Sequence, residues 1–275
     1  MRIFIDSARI DEIEKAREYG VLDGVTTNPS LIKKAVENLK ERGQVVDMDE
    51  YIKRLLRAAR PFPVSLEVIA SHQDGMIAEG LHLFKRFNKV AKNVVIKIPI
   101  DPAFKEMDAT HFDGVKAIRV LASQGIPINC TLIFTPEQAL LAAKAGARYV
   151  SPFAGRLDDY IRTTRQAKFD KAEYYPVKGF ERKGERWEDN GIVSGVDLVK
   201  QIVDLFAAHK FATQVLAASI RNARQVRDVA LAGAHIATLP LDVIEKLLHH
   251  RKTMEGMEGF TKDIVDEYAK LVRSR

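Results

Sequence analysis

The chain has 275 residues with 43 basic and 37 acidic side chains, a formal charge of +6, and a composition that is 46% apolar and 29% charged. Those proportions suit a globular chain with one large core and exclude disorder, a fibrous repeat or a linker-rich assembly. The single cysteine, Cys130, excludes an internal disulfide and a zinc site of several thiolates, and no run approaches the roughly 20 apolar residues of a membrane span.

Eight short apolar runs alternate with helical patterns. The first, Arg2 to Asp6, precedes Ser7, a capping residue type, and a helix marked by Ile10, Ile13 and Ala16 that ends near Gly20. The second, Gly24 to Thr27, leads to Pro29 at a helix start, and two helical stretches follow as far as Arg60. The remaining runs are Val64 to Ala70, Val94 to Ile100, Ile126 to Phe134, Arg148 to Phe153, Thr213 to Ala218 and His235 to Thr238.

Short, continuously apolar strands, each followed by a helix, are the pattern of a parallel sheet covered by helices. Eight such units predict an α/β fold of the (β/α)8 TIM-barrel type, a single domain over residues 1–275. The alternative, an open doubly wound sheet, calls for a Gly-rich turn after its first strand, where this chain has Asp6-Ser7-Ala8-Arg9. One region departs from the rhythm: an elaborated loop after the sixth strand, residues 157–193, with a possible hairpin tip over Lys178 to Gly184. It reads either as a lid or oligomer contact on the active-site face, or as a solvated excursion. A C-terminal helix is expected over 257–273, with Phe260, Ile264, Tyr268 and Leu271 at helical spacing.

Barrel chemistry gathers at the carboxyl ends of the strands, and nearly every run carries a polar residue there: Asp6, Thr26 with Thr27 and Asn28, Glu67, Lys97, Asn129 with Thr131, Ser151, and Ser219. Lys97 interrupts the otherwise apolar Val94 to Pro99. Burial disfavours an ammonium, and the free amine can attack a carbonyl to give a Schiff base. The competing reading is an ion pair with Glu67, or an outward-facing lysine, without catalytic role. Asp6 and Glu67 suit proton transfer at two different atoms. Arg156 and Arg221 follow strand ends where two guanidinium groups and helix N-termini chelate a phosphate, or else form surface ion pairs. The seven histidines lack metal-ligand spacing, Walker A and Gly-x-Ser-x-Gly patterns are absent, and neither a metal nor a cofactor is expected.

The segments Phe4 to Ala8 (FIDSA), Gly24 to Ser30 (GVTTNPS), Val64 to Val68 (VSLEV), Ile96 to Pro99 (IKIP), Ile128 to Phe134 (INCTLIF), Ser151 to Arg156 (SPFAGR) and Ala218 to Asn222 (ASIRN) resemble, in the same order, the transaldolase family. The resemblance continues to Thr238 to Val243 and omits only the loop after Asp159. It implies a metal-independent enzyme that moves a dihydroxyacetone unit between sugar phosphates, with Lys97 as the Schiff-base lysine. Glu67 and Thr131 would act through a water and Asp6 would exchange the C4 hydroxyl proton. By the same resemblance Thr27, Asn28, Asn129, Ser151 and Phe153 contact the sugar, while Arg156, Ser219 and Arg221 hold its phosphate. The related fructose 6-phosphate aldolases carry glutamine at the position of Glu67 and tyrosine at that of Phe153, which favours transferase here. Homo-oligomers in which the C-terminal helix packs on a neighbour are also implied, with docking of that helix on its own barrel as the alternative, and the single cysteine fits a reducing, cytoplasmic setting. The expected partners are phosphorylated sugars rather than membrane or nucleic acid, since the Lys and Arg residues are interspersed with acids. A non-catalytic sugar-phosphate- or RNA-binding barrel is the remaining alternative.

Overall fold

A computed structural model describes residues 1–182 and 184–273. The first half of the chain runs β1 (Arg2–Asp6), α1 (Ile10–Glu18), β2 (Gly24–Thr26), α2 (Pro29–Glu41), α3 (Met48–Ala59), β3 (Val64–Glu67), α4 (Gln73–Ala91), β4 (Val94–Pro99) and α5 (Asp113–Ser123). It continues with β5 (Ile128–Ile133), α6 (Pro136–Ala145), β6 (Tyr149–Pro152), α7 (Ala154–Thr164) and a small hairpin of β7 (Glu181–Arg182) and β8 (Glu185–Arg186). The last part is α8 (Gly195–Ala208), β9 (Gln214–Ala217), α9 (Ala223–Leu231), β10 (Ile236–Leu239), α10 (Leu241–Lys246), α11 (Arg251–Lys262) and α12 (Asp266–Arg273).

Eight strands close into one barrel in the order β1-β10-β9-β6-β5-β4-β3-β2. Closure comes from the parallel pairing of the first strand with the last, Arg2 opposite Ile236 through Ile5 opposite Leu239. That pairing separates the barrel from an open doubly wound sheet, in which those strands would be edges.

Strand alternation then sorts every run into two cores. On β4, Val94, Ile96 and Ile98 pack outward beneath the helices, whereas Val95 joins the inner cluster with Phe4, Tyr149, Leu216 and Ile236. These bulky groups fill the lower barrel, Phe4 meeting Tyr149 edge-on at 6.2 Å between ring centres. Gly24 sits opposite Phe4 in the register, and a Cβ there would stand 2.4 Å from the Phe4 ring, so only glycine admits it. The interior is therefore plugged below and polar above.

Local signals fix the helix starts. Asn28 accepts the Leu31 N–H with Pro29 in the first helical turn, and Thr135 with Gln138 forms a reciprocal capping box. Ser7 differs from its expected role: α1 begins at Ile10, and Ser7 Oγ accepts the Arg9 N–H, closing the turn ahead of the helix.

The irregular segment after β6 begins later than expected, because α7 continues to Thr164. The expected hairpin tip includes Lys183, which lies outside the described residues. Arg162 of α7 anchors the segment, with its guanidinium 4.8 Å from the Phe169 ring centre and 4.9 Å from that of Tyr175. Its Nη2 donates to the carbonyl of Tyr174. The C-terminal stretch forms two helices rather than one. Thr261 Oγ1 bonds back to the Met257 carbonyl at 2.7 Å, and the β-branched pair Ile264 and Val265 follows; both weaken helix continuation. No helix among the described residues is long and apolar enough to cross a membrane.

Candidate active site

Lys97 stands at the inner face of β4, 4% exposed. Its register neighbours are Glu67 on β3 and Asn129 on β5, so parallel pairing alone sets three polar side chains abreast. Its Nζ lies 2.9 Å from Glu67 Oε2 and donates to the Thr27 carbonyl at 3.1 Å. Beside it, Asn129 donates to Ser65 Oγ at 3.1 Å and accepts from Ser151 Oγ at 2.7 Å, a buried polar row that leaves Asn129 fixed.

Across the barrel, Asp6 accepts a hydrogen bond from Thr26 Oγ1 at 2.7 Å. Thr26 and Thr238 hydroxyls are 2.5 Å apart, and with the Thr26 proton given to Asp6, Thr238 is the donor to Thr26. Burial pushes the Asp6 carboxyl above the usual carboxylate range, while the Thr26 bond and the charges of Lys97 and Arg156 oppose the rise. This gives a carboxyl able to exchange a proton beside an amine.

Thr131 is buried with an unpartnered Oγ1, opposite Pro99 in the register. The β5–β6 pairing shifts between Cys130 and Ile133, and Leu132 takes φ 59°, the left-handed region. Such a bulge re-aims side chains where a strand meets a site. Cys130 points into the outer core, where burial pushes its thiol up and keeps it protonated.

One cavity is lined by Asp6, Asn28, Lys97, Ser151, Phe153, Arg156 and Ser219, all expected from the sequence, together with Thr26, Ala218 and Thr238. Glu67 touches Lys97 from the side and faces a second hollow between α2 and α4. Thr27 does not line the main cavity: its hydroxyl is taken by the Ser65 carbonyl, and it serves through its own carbonyl, which holds Nζ. Thr238 was missed as a site residue; the signal was its inward parity two positions after Ile236.

The mouth is cationic. Arg156 is exposed and stacks over Phe153, 4.9 Å from the ring centre. Ser219 adopts φ 60°, and its carbonyl lies so near α7 that a Cβ on Gly155 would stand 2.2 Å from it. The same Cβ would be 3.0 Å from Arg221 Nε and 3.3 Å from Ser219 Oγ, so glycine lets these groups converge at the N-terminus of α7. Arg221 makes the ion pair that the sequence left open as the alternative: both Nη atoms bond Asp159 at 2.5 Å. Among the described residues, no three His, Cys, Asp or Glu side chains are grouped to hold a metal.

Residues 3–273 match the family described as Transaldolase/Fructose-6-phosphate aldolase. The chain is 40% identical to a "Probable transaldolase" of Exiguobacterium sibiricum over 263 residues, covering 96% of this chain and 97% of that protein. It is 41% identical to a "Probable transaldolase" of Clostridium perfringens, with the same coverage. A "Probable transaldolase" of Aquifex aeolicus is 40% identical, with 96% of each chain covered.

Proposed function

The chain belongs to the transaldolase/fructose-6-phosphate aldolase family, and we propose that it works as a transaldolase, a transferase acting through a Schiff base on Lys97. The donor is a ketose phosphate such as fructose 6-phosphate or sedoheptulose 7-phosphate, and the acceptor an aldose phosphate, which assigns the enzyme to the pentose phosphate pathway. The observation that carries the reading is the Lys97 amine in a closed barrel, 2.9 Å from Glu67, in a cavity it shares with Asp6.

Attack requires the neutral amine, and Glu67 Oε2 is placed to take the ammonium proton. The nitrogen adds to the C2 carbonyl, and the resulting carbinolamine loses its hydroxyl as water, with Glu67 and the Thr131 hydroxyl handling the protons. The iminium draws the electron pair of the C3–C4 bond as Asp6 removes the O4 proton. An aldose phosphate leaves and a three-carbon enamine stays on Lys97. The acceptor aldehyde then takes up the enamine's electron pair at its carbonyl carbon, and Asp6 returns the proton to its oxygen. Water adds to the new iminium and frees the product and Lys97. Asn28, Asn129 and Ser151 hold the sugar hydroxyls, and Arg156, Ser219 and Arg221 hold the phosphate.

Transfer rather than release is supported by Phe153, which has no proton to give the enamine and packs against Arg156 and Phe134. The cations converge on one cavity, which supports a small phosphorylated substrate rather than nucleic acid. The buried free thiol fits the reducing cytoplasm. Homo-oligomer formation is supported by α11, α12 and the link between them, where Met257, Phe260, Ile264 and Tyr268 are exposed and neither helix has a buried residue.

Borohydride reduction with fructose 6-phosphate should place a covalent adduct on Lys97, and Lys97→Met should lose both adduct and turnover while staying folded. An adduct on another residue, or none on the folded wild type, refutes the mechanism. Dihydroxyacetone release without an aldehyde acceptor should be slow beside transfer; equal rates would make the enzyme an aldolase.

A further inference from the structure

Two adjacent acids on α7 hold one arginine by its two ends. Asp158 is 2% exposed; its Oδ1 accepts the Gly195 N–H at 2.7 Å and its Oδ2 accepts Gln225 Nε2 at 2.8 Å. Gln225 Oε1 in turn accepts the main-chain N–H of Arg221 at 3.0 Å. Asp159 takes the other end, accepting Nη1 and Nη2 of Arg221. The long segment after α7 closes the clamp: the Lys171 carbonyl accepts a second bond from Nη1 at 3.1 Å, and the Ala172 carbonyl accepts Asn222 Nδ2 at 3.2 Å. The segment is itself pinned to α9, where Tyr174 donates to Asp228 at 2.8 Å and the Arg224 guanidinium lies 3.7 Å from the Tyr174 ring centre.

The guanidinium is a rigid planar fork, so fixing some donors aims the others. With Nη1 and one Nη2 hydrogen engaged, the Nε–H and the second Nη2 hydrogen remain, side by side on one edge. Nε is the atom nearest Gly155 after the Ser219 carbonyl, on the side where Ser219 Oγ and the start of α7 converge.

We propose that Asp158 and Asp159 are positioning residues that present the Nε edge of Arg221 to a substrate phosphate dianion, and that the segment after α7 belongs to this device through the Lys171 carbonyl. The inference rests on the phosphate role given to Arg221 above and extends it to residues that touch no substrate. A different outcome is built into the same geometry: if Asp159 merely competed with phosphate for Arg221, removing its charge would tighten binding. Neutralisation by itself also strengthens the positive field at the mouth, so weaker binding on neutralisation identifies lost orientation.

The experiment uses the full chain and three variants: Asp159→Asn, Arg221→Lys, and the two combined. Binding of inorganic phosphate is followed by calorimetry, transfer kinetics with fructose 6-phosphate, and Lys97 trapping with unphosphorylated dihydroxyacetone. Asp159→Asn should weaken inorganic phosphate and raise KM for fructose 6-phosphate by about tenfold, the scale of one charge-assisted hydrogen bond, with a much smaller change in kcat. Trapping of dihydroxyacetone should be unchanged, since it uses no phosphate. The double variant should lose little beyond Arg221→Lys alone, because both changes spoil one contact. Unchanged or tighter phosphate binding in Asp159→Asn, or additive losses in the double variant, overturns the proposal. Failure of dihydroxyacetone to trap on the wild type would instead reject the Schiff-base reading, and leave the calorimetric comparison to judge the clamp.

Discussion

Asp158 gives the barrel a pH dependence that one substitution should erase. The side chain is enclosed between α7, the start of α8 and α9, and burial pushes its carboxyl up to about 7 from 3.8, against the Gly195 and Gln225 bonds and the charges of Arg162 and Arg221. The unfolded chain gives up this proton near the ordinary value, whereas the native chain keeps it to about 7. Between those limits the native state binds more protons, so the stabilisation is complete at low pH and is lost as pH rises through the native value. A difference of about 3 pH units corresponds to roughly 4 kcal/mol, of which about 3 kcal/mol falls between about pH 5 and about pH 8. Asp158→Asn has no proton to lose. Its amide keeps the Gly195 bond and spoils the one to Gln225, a pH-independent cost of about 1 kcal/mol. Urea unfolding of both proteins across that range should show the wild type losing stability relative to the variant as pH rises. Parallel profiles would mean that Asp158 is ionised at no unusual cost, and would refute the reasoning.

Two other outcomes follow from contacts already described. Thr26→Val removes the hydrogen bond that holds the Asp6 carboxyl down against burial, so the carboxyl rises further. In the proposed mechanism Asp6 acts in its ionised form, so the acid limb of the kcat/KM profile should move to higher pH, whereas Thr26→Ser should leave it in place; an unmoved limb in Thr26→Val would remove Asp6 from the role of base. A chain ending at residue 250 loses α11 and α12, neither of which has a buried residue, so it should stay folded and, on the proposed assembly, fall to a smaller one by light scattering. An unchanged number of subunits per assembly would place the interface elsewhere.

Much of the barrel was legible because its signals are local. A run such as Val94 to Pro99 is apolar on both faces apart from Lys97 because both faces are buried, and Pro29, Asn28 and Thr135 mark helix starts by their own chemistry. Strand ends carry the chemistry in this architecture, so Asp6, Lys97, Asn28, Ser151 and Arg156 could be picked out from position in their runs. The resemblance to a known family rested on the same strand-end segments.

What the linear order could not supply was partnership across the fold. Thr27 and Lys97 are far apart in sequence, and only the closed sheet shows that Thr27 offers a carbonyl to Nζ while its hydroxyl is spent on Ser65. Arg221 could be picked out as a phosphate candidate but its partner could not: Asp159 bonds both of its Nη atoms because α7 and the turn before α9 meet at the barrel mouth. Composition and periodicity act within a few turns of chain, and they specify strands, helices and which face is buried. The direction in which a long polar side chain spends its hydrogen bonds depends on groups brought near by barrel closure, and that is settled only once β1 has paired with β10.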